Sequence, residues 1–352
     1  MPRNPSPRGL TGAQRPDIIP ALVRNPANNR GTLRGRSVFV TGAYGLLGSW
    51  LTKALLDKGA HVTVLKRDAV AASALSLEGT ERRVNVVHGD ICDPPLIERA
   101  LNEYEVDAVF HLAAQTIVGV ANKGPLSTFE TNIRGTWILL EACRHAGIPR
   151  TIVAGSDKAY GAHDQLPYRE NHAFQPRSPY EASKAAADML ARSYWHTFAL
   201  PVAVTRCANL YGGGDLNFSR LVPEAVLATL EARRPVIRSD GTPQRDFLYI
   251  EDAVAAYLAI CDLLDAGQGA GEAFNAGGDR PHSVLEIVEL ICALSGTGVR
   301  PDVRGSGTPT GEISCQWVDS RKLRAASGWL PQIDLEDGLR RTLAWYQAHI
   351  HS

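Results

Sequence analysis

No stretch of this 352-residue chain approaches the roughly 18 consecutive apolar residues that a membrane span needs, so no membrane partner is expected. The chain also lacks a C-x-x-C pair or a histidine spacing of the zinc type, so no metal site is expected. Its six cysteines (Cys92, Cys143, Cys207, Cys261, Cys292, Cys315) are scattered and read as small buried hydrophobes in a reducing, cytoplasmic setting. There is no secretory apolar region, no internal repeat, and no low-complexity tract beyond the first residues. Net charge is missing too, with 37 basic side chains against 37 acidic ones. That neutrality conceals a split. Residues 1–36 hold seven arginines and one aspartate, an excess of six positive charges, so the remainder carries six negative ones. A mildly acidic body offers little attraction to nucleic acid, which is not expected as a partner. With 44% hydrophobic and 21% charged residues, collagen-like, disulfide-scaffold and wholly disordered classes are excluded.

What is present is an alternation of short β-branched runs and helical periods. Ser37–Thr41, His61–Leu65, Val84–His88, Ala108–Leu112, Thr151–Ala154 and Val202–Thr205 read as strands. Helices are expected over Leu46–Lys58, Pro95–Glu103, Pro125–His145 and Tyr180–Phe198. In the first, Leu47, Trp50, Leu51, Ala54 and Leu55 share a face. Continuous apolar strands between helices indicate a parallel sheet covered on both faces, a Rossmann-type doubly wound α/β fold. We divide the chain into a basic tail over 1–34 and a dinucleotide-binding domain over 35–206. A smaller C-terminal α/β lobe follows over 207–244 and 276–350. Arg245–Tyr249 and Glu272–Asn275 are expected to return to the first domain. Later helices are expected at Phe218–Arg233, Glu251–Leu264, Val284–Leu294 and Leu335–His349, among Gly/Pro-rich loops such as Gly305–Gly311.

Gly42-Ala43-Tyr44-Gly45-Leu46-Leu47-Gly48 follows the first strand and opens the first helix. Glycines there permit a tight turn and bring backbone N–H groups close to a pyrophosphate at the positive helix end. Tyr180 and Lys184 lie four apart on an expected helix and share one face. A nearby ammonium favours a tyrosine phenolate, and Ser156 at the end of an earlier strand can hydrogen-bond a carbonyl or hydroxyl. This trio supports hydride transfer at a carbinol carbon. By itself, Y-x-x-x-K is as compatible with a surface pair.

The G-x-x-G-x-x-G spacing, Gly89-Asp90-Ile91, His111-Leu112-Ala113-Ala114-Gln115 and the Tyr-x-x-x-Lys pair together resemble the extended short-chain dehydrogenase/reductase family over roughly Gly35 to His349. The resemblance implies that Asp90 and Ile91 meet the adenine, that the run from Leu112 to Gln115 lines the cofactor, and that Asn132 sits behind the active site. It also implies a homodimer packed through the helices beginning near Pro125 and Tyr180. NAD is the expected cofactor from the family's dehydratases. NADP stays open, because the second strand ends Lys66-Arg67-Asp68 and a basic pair accommodates a 2′-phosphate.

Gly155-Ser156-Asp157-Lys158-Ala159-Tyr160-Gly161 sets an acid and a base side by side after the serine, and resembles the nucleotide-sugar 4,6-dehydratases. The Asp-Lys version is similar to CDP-glucose 4,6-dehydratase and to UDP-N-acetylglucosamine 4,6-dehydratases, whereas the dTDP-glucose enzymes carry Asp-Glu; Gly48–Leu51, Tyr168–Asn171 and Gly212–Asp215 with Arg220 also resemble the CDP-glucose enzyme. Leu47 stands where that group has lysine, and Arg245-Asp246-Phe247 follows the general epimerase/dehydratase pattern instead. The resemblance implies a nucleoside-diphosphate sugar substrate, with Asn209, Arg220 and Arg245 on its ribose or diphosphate. Each of the three, taken singly, reads equally as an interdomain pairing. The rival readings are a nucleotide-sugar 4-epimerase or decarboxylase, in which Asp157 and Lys158 only bind substrate, and a non-catalytic dinucleotide-binding sensor.

Overall fold

The computed structural model describes residues 33–70, 72–307 and 313–350. The basic tail, apart from Leu33 and Arg34, and the end of the Gly305–Gly311 loop lie outside the described residues.

Short apolar runs become strands, buried on both faces except for the edge strand over Asn85–His88. These are β1 (Ser37–Thr41), β2 (His61–Lys66), β3 (Asn85–His88), β4 (Ala108–His111), β5 (Thr151–Ala154) and β6 (Val202–Cys207). A short β7 (Asn209–Tyr211) follows, then β8 (Val236–Ile237), β9 (Gln244–Tyr249) and β10 (Ala273–Ala276). The last are β11 (Pro281–Ser283), β12 (Asp302–Val303) and β13 (Cys315–Gln316). Seven strands form one parallel sheet in the order β10-β6-β5-β4-β1-β2-β3. Alternate residues of each strand feed opposite cores, as a period of two requires. Val38 and Val40 join one cluster, and Phe39 between them joins the other.

Helices α1 (Leu46–Asp57) and α2 (Ala74–Leu77) follow β1 and β2, and α3 (Pro94–Glu103) follows β3. Between β4 and β5 lie α4 (Val118–Lys123), α5 (Pro125–Phe129) and α6 (Gly135–Ala146). Next come α7 (Pro179–Phe198), α8 (Leu221–Leu230) and α9 (Ile250–Asp265). The chain closes with α10 (Val284–Ser295), α11 (Arg321–Ser327) and α12 (Leu335–His349). Side chains of α3, α6 and α7 cover one face of the large sheet, while α1 and α9 cover the other. Among the described residues, no helix is long and apolar enough to cross a membrane.

Three expectations change. The helix expected over Pro125–His145 is broken by a π-turn at Glu130–Arg134. Such a turn inserts one extra residue into the spiral and re-aims a side chain, here that of Asn132. The face expected on α1 packs on the core, Leu51 and Leu55 fully and Leu47, Trp50 and Ala54 in part, with Leu46 and Thr52 buried beside it; Trp50 also donates to the Gly213 carbonyl at 2.7 Å. Of the two segments expected to return to the first domain, Ala273–Ala276 pairs with β6, but Gln244–Tyr249 pairs with β7, β11 and β13 in a second sheet. Four of the cysteines are buried, whereas Cys92 and Cys315 are half-buried.

Candidate active site

Adjacent strands β1 and β4 send their following segments to opposite sides of the sheet, which opens a crevice at their C-terminal ends. A cleft of about 1170 Å³ occupies this position and continues to Asn209, Arg220 and Arg245. It is lined by the glycine loop, Lys66, Arg67, Ile91 and the run Leu112–Gln115. Ser156, Asp157, Lys158, Tyr180, Lys184, Asn209, Arg220 and Arg245 complete the wall. Asp90 and Asn132 stand behind it: Asp90 accepts the Cys92 N–H at 2.8 Å, shaping the turn that presents Ile91.

The glycine loop fits a pyrophosphate. Gly42 has φ +75°, and a Cβ on it would lie 2.7 Å from Ala113 N. A Cβ on Gly48 would lie 2.1 Å from the Gly42 carbonyl, so the helix can approach its own turn only with hydrogen there. Gly45 differs, since its nearest neighbour would be 3.4 Å away. Gly45→Ala should therefore leave the melting temperature nearly unchanged and weaken NAD binding about tenfold, by calorimetric titration, because the new methyl occupies the cleft rather than protein. Gly48→Ala should instead lower the melting temperature.

Thr41 Oγ1 bonds His111 Nδ1 at 2.8 Å and accepts the N–H groups of Leu112 and Ala113 at 3.2 Å, tying the two loops together. Burial pushes His111 down to about 3, with the Lys184 charge adding to the effect, so it serves as a neutral strut. Asn132 Oδ1 accepts from Gln115 N at 2.7 Å, and its Nδ2 donates to Gln115 O and to Ser183 Oγ. The π-turn thus clamps the β4 loop to α7.

The basic pair at the end of β2 is already engaged. Lys66 Nζ donates to Glu81 Oε1 at 2.8 Å and lies over the Tyr44 ring, while Tyr44 OH donates to the same oxygen at 2.6 Å. Arg67 pairs with Asp68 at 2.7 Å. A 2′-phosphate would have to compete with both carboxylates, whereas a ribose 2′-hydroxyl would not.

Ser156 caps a single 3₁₀ turn over Asp157–Tyr160, accepting the Lys158 N–H at 3.2 Å and donating to Asp157 Oδ1 at 3.3 Å. The turn aims two consecutive side chains into the cleft. The Asp157 side chain is 2% exposed, and its Oδ2 has no hydrogen-bond partner among the described residues. Such an oxygen is costly to bury unless a donor meets it. Lys158 Nζ lies 3.5 Å from Asp157 Oδ1, and burial, aided by the Arg245 charge, pulls its pKa down despite Asp157 and Glu181. Capped by Ser178 and Glu181, α7 carries Tyr180 and Lys184. Burial dominates Tyr180 and pushes it up to about 12, while the Arg220 charge and the neighbouring Ser156 hydroxyl oppose that rise. The cation expected to activate it, Lys184, donates to the Ala154 carbonyl at 2.8 Å and is drawn down to about 8 by burial.

On the lobe side, Asn209 Nδ2 donates to the Asp246 carbonyl and Arg245 Nη1 to the Gln244 carbonyl. Arg220 bridges the cleft, pairing with Asp215 at 3.0 Å and donating to Thr116 Oγ1 at 3.0 Å. Tyr168–Asn171 does not reach this cleft; Tyr168 is buried against Tyr160, and Glu170 serves Arg206 and Asn275. Sequence reasoning missed Thr116, Glu81 and Gln316, whose side chain touches both Asp157 and Lys158. No motif marks Gln316, which lies 158 residues beyond Lys158 in a two-residue strand.

Residues 38–277 match the model of the family described as NAD dependent epimerase/dehydratase. Over 339 residues the chain is 33% identical to dTDP-glucose 4,6-dehydratase 1 of Escherichia coli (strain K12), covering 88% of this chain and 92% of that one. Among solved structures, it is similar to the dTDP-glucose 4,6-dehydratase of Streptomyces venezuelae with NAD bound. That comparison gives a TM-score of 0.80 and 31% identity, over 89% of this chain and 97% of the other. A UDP-glucose 4-epimerase of Thermotoga maritima, solved with UDP-glucose, gives a TM-score of 0.82 at 27% identity, over 89% and 99%.

Proposed function

The chain belongs to the NAD dependent epimerase/dehydratase family, and from that membership we propose that it is a nucleoside-diphosphate-hexose 4,6-dehydratase. The cofactor is NAD. The observation that carries the reading is the Asp157–Lys158 pair, a buried carboxyl group with an unpartnered oxygen beside an amine of lowered pKa, both within the cleft that holds Ser156 and Tyr180. Interconverting C4 configurations needs neither group, whereas an elimination needs an acid and a base at neighbouring carbons.

Tyr180 takes the proton of the C4 hydroxyl, and Ser156 hydrogen-bonds the same oxygen. Lys184, held by the Ala154 carbonyl, would hold the cofactor's ribose. Bound NAD supplies a hydride acceptor at C4, a donor at C6, and a positive ring that favours the phenolate as any nearby cation does. The C4 ketone acidifies the C5 proton, and the Lys158 amine removes it. Asp157 protonates the departing C6 hydroxyl, which leaves as water. As C6 is reduced, the Lys158 ammonium, whose protons exchange with solvent, protonates C5, giving a 4-keto-6-deoxy sugar. Arg245, Arg220 and Asn209 bind the diphosphate and ribose, for which a guanidinium fork is suited.

Two observations bear on the base. Relatives named as dTDP-glucose 4,6-dehydratases support dTDP-glucose. The Asp-Lys pair supports CDP-glucose. A screen of CDP-, UDP-, dTDP- and GDP-hexoses for the 4-keto-6-deoxy product decides between them. Run in D₂O, the dehydratase places deuterium at C5; clean C4 inversion without C5 exchange would instead establish a 4-epimerase.

The same reading includes a homodimer. The helices α5 to α7 carry Leu126, Met189 and Phe198 at 72%, 63% and 52% exposure, large apolar groups that favour a partner surface. Leu126→Glu combined with Met189→Glu should convert a dimer to a monomer in sedimentation equilibrium.

A further inference from the structure

Gln316 sits on β13, 1% exposed, and contributes nothing to the cleft wall itself. Its amide joins the two proposed catalytic residues. Nε2 donates to the Asp157 carbonyl at 3.1 Å, and Oε1 accepts from Lys158 Nζ at 2.5 Å. The two ends of the amide are not exchangeable. Turned over, Oε1 would face the Asp157 carbonyl oxygen, two acceptors with no proton between them, and the NH₂ group would face the lysine's own N–H groups.

We propose that Gln316 is a positioning residue for the base: fixed on the backbone of Asp157, it holds the Lys158 amine in the orientation from which it takes the C5 proton. This rests on the dehydratase reading. A neutral amine has two N–H groups and one lone pair. One N–H goes to Gln316 Oε1, and the other lies toward Asp157 Oδ1 at 3.5 Å. The lone pair is then the only part of the nitrogen left for substrate. An uncharged acceptor also fixes the nitrogen without stabilising its protonated form as a carboxylate would. The titratable and charged groups that face Lys158 are Asp157 on its own turn, Glu181 on α7 and Arg245 on β9. Glutamine adds orientation to that set and no charge.

Three variants test the assignment, with melting temperature followed throughout. Gln316→Met keeps the shape and removes both hydrogen bonds; kcat should fall on the order of 10²-fold with KM nearly unchanged, as a misplaced group does. Gln316→Glu sets a carboxylate against Lys158, raises its pKa, and should move the rising limb of the kcat–pH profile upward by on the order of one pH unit. Adding Gln316→Met to Lys158→Met should cause no further loss, because the residue acts only through the amine. Wild-type kcat in Gln316→Met, an unmoved limb in Gln316→Glu, or an additive loss in the double variant would each overturn the proposal while C5 deuteration by the unsubstituted enzyme stands. Absence of that deuteration would overturn the dehydratase reading, and this proposal with it.

Discussion

Lys158→Met enzyme should bind its nucleotide sugar with nearly normal KM, yet form the 4-keto-6-deoxy product about 10²- to 10⁴-fold more slowly, the range that a positioned proton-transfer group contributes. Methionine matches the length and volume of the lysine stem, so packing along the 3₁₀ turn is preserved and only the amine is lost. In the proposed mechanism no other described residue takes the C5 proton: Asp157 is assigned to the leaving oxygen, and Tyr180, pushed up to about 12 by burial, to C4. The pH profile gives the second half of the prediction. Burial lowers the Lys158 pKa, so the active neutral amine increases as pH rises. The unsubstituted enzyme should therefore show kcat increasing with pH along a limb that disappears in Lys158→Met. Undiminished turnover with the same limb would remove Lys158 from the elimination and leave it a binding group.

The largest loss of stability is expected from Arg206→Met, about 3–5 kcal/mol, or a fall in melting temperature of roughly 4–7 °C. Arg206 and Asp188 are each 1% exposed and joined by two hydrogen bonds, at 2.8 and 3.0 Å. The same guanidinium donates to Tyr160 OH at 2.8 Å and to the Glu170 carbonyl at 3.0 Å, and lies over the rings of Tyr160 and Phe174. Methionine fills most of the volume but strands the Asp188 carboxylate in the interior. That stranded charge is the chief cost. Pairing Arg206→Met with Asp188→Leu should thus recover much of the loss, because two apolar groups leave no charge behind. Thermal melts of the single and double variants check both statements, and equal losses in the two would locate the cost in packing instead.

Much of this was legible from local pattern. The strands of the large sheet, the glycine loop and the Ser156, Tyr180 and Lys184 set each depend on residues adjacent in sequence or one helical turn apart. The structure brings those residues into one cleft. What escaped depends on contacts made only through space. The π-turn has no composition signal, yet it aims Asn132 at Gln115 and Ser183. Glu81, 15 residues from Lys66, decides whether the basic end of β2 is free for a phosphate. Burial reversed the expected sense of the Tyr180 shift, and burial depends on the whole fold. The segment Gln244–Tyr249 reads as a strand in either sheet, and only its partners β7, β11 and β13 settle which.

The edge position of β10 has a consequence for synthesis of the chain. Residues 202–207 are made first, but the strand that covers their outer side, residues 273–276, leaves the ribosome only after residues 208–272 have been made. Until then β6 presents an open row of N–H and C=O groups, a template for pairing with another nascent chain. A chain arrested or cleaved between residues 207 and 273 keeps that edge permanently. The large sheet is therefore closed only late in synthesis, and a fragment that stops where the nucleotide-binding motifs stop keeps an open edge.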